Sequence, residues 1–182
     1  SLGQMNLYDT AGIGQLLGGT FGYKLRPDLL IGGYAGLESS VYPNRISRNH
    51  TKSGFFARYL GSRGKRLSLS FNNVRFSGKA ERRYLYMGTF LPLNRVLILY
   101  SSLEYETESH VRKQDRLSRI FANMRWDPLK FLNIMAHFSS GKGLDFHRYV
   151  IERSQNPVLN DQALERFYYS QQYGLRLTLK PS

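Results

Sequence analysis

Arg66-Leu67-Ser68-Leu69-Ser70-Phe71-Asn72 decides how this chain is read. Leu67, Leu69 and Phe71 alternate with Ser68, Ser70 and Asn72. A strand turns successive side chains to opposite faces, so the segment has one apolar and one polar face. A helical period of 3.6 cannot sort these residues that way. Upstream, Gly61-Ser62-Arg63-Gly64-Lys65 reads as a short turn. Before it, Phe55, Ala57 and Tyr59 share one face of a strand over about 53–60.

The same two-residue period extends in both directions. Over about 12–25, Leu17, Phe21, Tyr23 and Leu25 oppose Gly18, Thr20, Gly22 and Lys24. Over about 29–38, Leu29, Ile31, Ala35 and Leu37 oppose Gly32, Tyr34, Gly36 and Glu38. Strands are predicted over about 82–91 and 95–107, where Val96-Leu97-Ile98-Leu99-Tyr100 is continuously apolar and leaves the outer face unassigned. Over about 116–126, Ile120, Ala122, Met124 and Trp126 alternate with Arg119, Phe121, Asn123 and Arg125. Leu132, Ile134, Ala136 and Phe138 then oppose Asn133, Met135, His137 and Ser139. The last strand carries Phe167, Tyr169, Tyr173, Leu175, Leu177 and Leu179 against Gln172, Gly174, Arg176 and Thr178.

Connections of two kinds alternate along the chain. Arg26-Pro27-Asp28, the glycine turn at 61–65, Pro92-Leu93-Asn94-Arg95 and Asp127-Pro128-Leu129-Lys130 are short. Long polar loops are expected at about 39–52, 77–82, 107–116 and 140–165, the last with a short helix near Asp145 to Arg153. Short turns on one side and long loops on the other mark an antiparallel up-and-down barrel that crosses a membrane. About nine strands of roughly 9–15 residues are expected, long enough to cross tilted. Residues 1–11 are a loop or an extra strand. Bacterial single-chain barrels have even strand numbers. An odd count therefore points to part of a larger barrel, with flanking strands or partner subunits beyond this chain.

Composition agrees. The 182 residues suit a single domain, 1–182, and the glycine, tyrosine and aromatic content favours β structure. No run of about 18 apolar residues exists, so no helix is predicted to cross a membrane. No basic start followed by an apolar core is present, so a processed or excerpted chain is expected. Cysteine is absent, which removes disulfides, thiolate metal sites and cysteine nucleophiles. The net charge of +13 favours anionic partners. Tyr23, Phe76, Phe90, Tyr105, Trp126, Phe131 and Phe167 fall near strand ends, where interfacial girdles of a membrane barrel lie.

On this pattern, over nearly its whole length, the chain resembles outer-membrane β-barrels of the porin type. The resemblance implies a bacterial outer-membrane location and a pore, a transporter wall or a conduit around another protein. Expected partners are outer-membrane lipid and a protein partner or plug inside the barrel, with no cofactor. With the apolar faces toward lipid, Lys24, Arg119, Arg125, Arg176, Asn123 and His137 line the interior. There the cations either form an anion path or brace the wall against inward acids such as Glu38 and Glu104. Arg75, Arg82, Arg112 and Lys113, with the neighbouring Lys79 and Arg83, lie at loops, where they either meet lipid phosphate or are simply solvated loop charge.

Two other functions compete. A soluble basic β protein could bind nucleic acid through cations and stacking rings. That explains the charge but not the sorted faces, so nucleic acid is disfavoured. His137 and Ser139 share a strand face, as general base and nucleophile would. Outer-membrane phospholipases look similar in carrying a His-x-Ser pair on a strand, but there it faces lipid and here it falls on the lumenal face. No enzyme is expected. The four histidines are too scattered to suggest a metal site. Gly12-x-Gly14 with Gly18 and Gly19 lacks dinucleotide-binding spacing.

Overall fold

A computed structural model describes residues 2–6, 15–39, 46–109, 117–142 and 169–179. They form one antiparallel sheet of ten strands in chain order. The strands are β1 (Leu2–Asn6), β2 (Gln15–Arg26), β3 (Leu29–Ser39), β4 (Ile46–Leu60), β5 (Arg66–Phe76), β6 (Lys79–Pro92), β7 (Leu97–Ser109), β8 (Leu117–Leu129), β9 (Leu132–Lys142) and β10 (Tyr169–Leu179). No described pairing joins β10 to β1, so the described sheet has two edges.

Turn chemistry explains the hairpins. Pro27-Asp28 joins β2 to β3, and Leu60 N–H donates to Asp28 O at 2.7 Å, which ties this turn to the end of β4. A single 3₁₀ turn at Ser62–Gly64 joins β4 to β5, with Arg63 and Gly64 at φ 59° and 76°. Asn94 Oδ1 accepts from Val96 N–H at 3.0 Å and shapes the β6–β7 turn. Pro128 lies where the β8–β9 register slips between Trp126 and Leu129, a bulge that tolerates its missing N–H.

The extra strand allowed for residues 1–11 forms over 2–6, which pair with β2, and the described count of ten is even, so an odd count no longer argues for missing strands. Two expectations are corrected. Strand β4 begins at Ile46, well inside the segment expected to be a loop over 39–52. The expected loop at 77–82 is a two-residue turn, Ser77-Gly78, with φ of 49° and 82°. Two successive positive φ values define the type I′ geometry whose twist matches a hairpin. The strict alternation of short and long connections therefore breaks between β5 and β6. The polar residues that suggested a loop there belong to strand ends. The expected helix near Asp145 to Arg153 lies outside the described residues.

Register assigns the faces. One row of opposed residues runs Tyr23, Ile31, Ala57, Leu69, Met87, Leu103 and Ile120 across β2 to β8. It begins near the turn end of β2 and reaches Gln171 near the loop end of β10, a stagger expected of tilted strands. Every residue set predicted as apolar lies on this one face where described. It stays exposed: Phe55 is 68%, Leu175 69% and Leu177 62% accessible. The ambiguous run resolves as well. Leu97 and Leu99 join the apolar face through Trp126 and Met124, whereas Ile98 and Tyr100 turn to the other.

That other face is concave. Leu16 (β2), Tyr34 (β3) and Phe56 (β4) are buried together, with Tyr86 of β6 packed on them. A flat single layer cannot bury side chains in this way, so the sheet curls with this face inside. Small residues make the curl tight. A Cβ at Gly54 would fall 2.7 Å from Tyr34 Oη, and one at Gly32 would fall 2.5 Å from the Phe56 ring.

Candidate functional site

The concave face has two parts, set by what its side chains do. In the first, β3 to β8 interlock. Tyr34 Oη donates to Asn72 Oδ1, and Asn72 Nδ2 donates to Ser70 Oγ at 2.8 Å. Lys52 Nζ stands 5.8 Å and Arg82 Cζ 4.1 Å from the centre of the Tyr84 ring. Arg82 also donates through Nε to Glu106 and through Nη2 to Glu104, each at 2.9 Å, and through Nη2 to Ser118 Oγ at 2.8 Å. Arg82 and Glu104 are each 17% accessible and Glu106 is 8%. Charge-assisted contacts of this kind hold strand ends at fixed spacing. Lys52 and Arg82 balance Glu104 and Glu106, while Arg58 and Arg66 on the same face add positive charge.

The second part, on β8 to β10, is open and cationic. Arg119, Arg125, His137 and Arg176 are exposed. Asn123, His137 and Gly174 form one cross-strand row, and Arg125, Met135 and Arg176 form the next. Arg125 Nε meets Asp127 Oδ2 at 3.0 Å, but the pair is 50% and 25% accessible and weak for that reason. Arg119 and Arg176 make no ion pair with any described residue. The His137 ring lies where a Cβ of Gly174 would stand, 1.9 Å from its Cε1. Lys24 shares the concave face on β2, where it is exposed. All six predicted lining residues thus lie on one face, with five gathered on three adjacent strands.

Bracing falls to a residue expected elsewhere. Glu104 stands opposite Arg119 in register but bonds Arg82. Arg82, expected at lipid headgroups, therefore turns inward. Arg75 stays on the convex face, two residues beyond Asn73, and is joined there by Arg83. Arg112 and Lys113 lie outside the described residues, and so does the Glu38 side chain. The brace was accessible to counting. Stepping back from the β6–β7 turn sets Glu104 opposite Tyr86 and Glu106 opposite Tyr84, beside Arg82.

His137 and Ser139 share the concave face as predicted, but no hydrogen bond joins them among the described residues. No described group of histidines and carboxylates is arranged to hold a metal. No helix among the described residues is long and apolar enough to cross a membrane, which leaves strand crossing open. Comparison with protein-family models, curated proteins and solved structures finds no match.

Proposed function

We propose that this chain is the wall of a bacterial outer-membrane β-barrel that forms a pore or a larger envelope conduit with a basic lumen. The observation that carries the reading is the apolar band on the convex face. From β4 to β10 it runs from the turn ends, interrupted by Thr89 and Ser101, which satisfy each other at 2.7 Å, to a polar boundary at Thr51 and Ser53, Asn73, Arg83, Thr107, Ser140 and Gln171. About eight tilted residues, at roughly 3.3 Å each, span about 20 Å, close to the lipid-facing band of such barrels. Tyr23, Tyr59 and Trp126 stand exposed at its turn side, where an aromatic girdle belongs. Phe90, expected in that girdle, turns instead to the concave face beneath Arg66.

Hydrocarbon does not tolerate an unpaired strand edge, so β1 and β10 need partners, whether each other or further strands. The filled half of the lumen favours a wall around a narrow path. The open arginines of β8 to β10 favour anions along it. Trp126 is the single tryptophan, so its quenching by brominated acyl chains reads membrane insertion directly. Absence of quenching in folded protein sinks the membrane reading. Within it, Arg125→Glu with Arg176→Glu should move the ion selectivity of planar-bilayer conductance toward cations. Unchanged selectivity removes the arginines from the path.

A further inference from the structure

The convex face is not uniformly smooth. Between β2 and β5 it holds an open recess of about 580 Å³. Gly33, Ala35 and Ser53 form its floor, and Phe21, Phe55 and Phe71 its walls. The floor depends on Gly33. A Cβ there would stand 2.8 Å from the Phe21 ring, which would have to lift away. Register places Phe21, Gly33, Phe55, Phe71 and Leu85 in one row, so the recess belongs to the apolar band.

Its rim lies at the polar boundary. Asn73 lines the loop side of the recess and accepts from Arg83 Nε at 3.4 Å. Arg75, next beyond Asn73 on the same face, is exposed. The apolar trough is therefore bordered at Asn73 by Arg83, with Arg75 next along the same face. Trough and cations match the two ends of one amphiphile.

We infer that the recess holds an acyl chain of an anionic, phosphate-bearing lipid whose headgroup is bound by Arg75 and Arg83. The inference rests on the convex face meeting lipid. A protein partner would fill the trough without needing both arginines. Zwitterionic lipid would bring a phosphate together with a choline cation that the arginines repel. Guanidinium binds phosphate oxygens through paired hydrogen bonds, and cations near a bilayer surface favour anionic lipid.

The test places a reporter in the trough. Phe55→Trp in a Trp126→Phe background is folded into phosphatidylcholine vesicles with a small fraction of either brominated phosphatidylglycerol or brominated phosphatidylcholine. The native Trp126 protein is the distant reference, and heat-modifiable migration checks folding. The recess reporter should be quenched at a roughly tenfold lower fraction of the glycerol lipid than of the choline lipid. Ser53→Leu, which fills the trough, and Arg75→Gln with Arg83→Gln should each abolish that preference. Trp126 should show none. Equal quenching by both lipids at the recess overturns the inference and leaves the membrane reading standing. A recess reporter shielded from both lipids while Trp126 is quenched means that protein covers the trough, which also overturns it. If neither reporter is quenched by any brominated lipid, the membrane reading falls and takes the inference with it.

Discussion

Leu69→Arg separates a lipid-facing wall from a water-facing one. Leu69 is 46% accessible and lies between Ala57 and Met87, in the middle of the convex band. In water, replacing such a leucine with arginine changes stability by no more than about 0.5 kcal/mol. In a bilayer, arginine at the midplane of a barrel's lipid face costs about 2–4 kcal/mol, and near the interface about 0–1 kcal/mol. At about 1.4 kcal/mol per decade, a 3 kcal/mol loss lowers the folding constant by roughly 140-fold. Asn73→Arg, on the same strand and face but at the polar boundary, should cost little. Ser102→Arg, on the concave face, is the lumenal comparison. Reversible unfolding by guanidinium in phosphatidylcholine vesicles gives all three values. A depth profile peaking at Leu69 is expected. Equal costs at Leu69 and Asn73, or a tolerated arginine at Leu69, would refute the assignment of this face to lipid.

Arg82→Met strands two mostly buried carboxylates and should cost about 2–4 kcal/mol in the same assay. Adding Glu104→Gln and Glu106→Gln should recover most of it, whereas additive losses would dismiss the cluster as a unit. Gly174→Ala drives a Cβ toward the His137 ring, which is exposed and can turn aside, so it should cost no more than about 1 kcal/mol, and His137→Ala should relieve that. A double variant no better than Gly174→Ala alone places the strain elsewhere. Ser77→Asn suits a residue at φ 49° and should raise stability by about 0.5–1 kcal/mol; a loss would contradict the turn geometry. Because the chain has no cysteine, Asn123→Cys and Asn72→Cys report lumen access cleanly. A charged, water-soluble thiol reagent should label the first in folded protein and not the second, and equal labelling would refute the division of the concave face.

Strand identity was legible wherever one face is apolar and the other polar, as at Leu67 to Asn72, because burial on one side imposes a period of two. It faltered where both faces are apolar. Ile98 and Tyr100 turn inward beside Phe90 and Phe121, so no alternation marks which side is which. Connection lengths misled where polarity stood in for a loop. The residues around Ser77-Gly78 are polar because they lie at a sheet boundary, not because the chain wanders there. That Lys24, Arg119, Asn123, Arg125, His137 and Arg176 share one face followed from alternation alone. The place of Arg82 did not, because residues 77–82 read as a loop, whereas they open strand β6 and give Arg82 the same face as Tyr84 and Tyr86. Alternation reports which face a side chain takes, but which acid on the neighbouring strand it meets needs the register.

The two parts of the concave face are tied to how the sheet curls. Where glycine on β2 to β4 lets rings lie against backbone, the sheet closes on its own side chains and the wall needs its charges neutralised. Buried Arg82 is tolerable only because Glu104, Glu106 and Ser118 converge on it. On β8 to β10 no such filling occurs. Arg119 and Arg176 remain exposed, and an exposed arginine can keep its charge without an acid beside it. Glu104 and Glu106 are spent on Arg82, which leaves Arg119 and Arg176 without an acid partner among the described residues. The cationic lumen proposed here needs no dedicated ring of arginines. It follows from committing Glu104 and Glu106 to Arg82 while further cations stand along the same face.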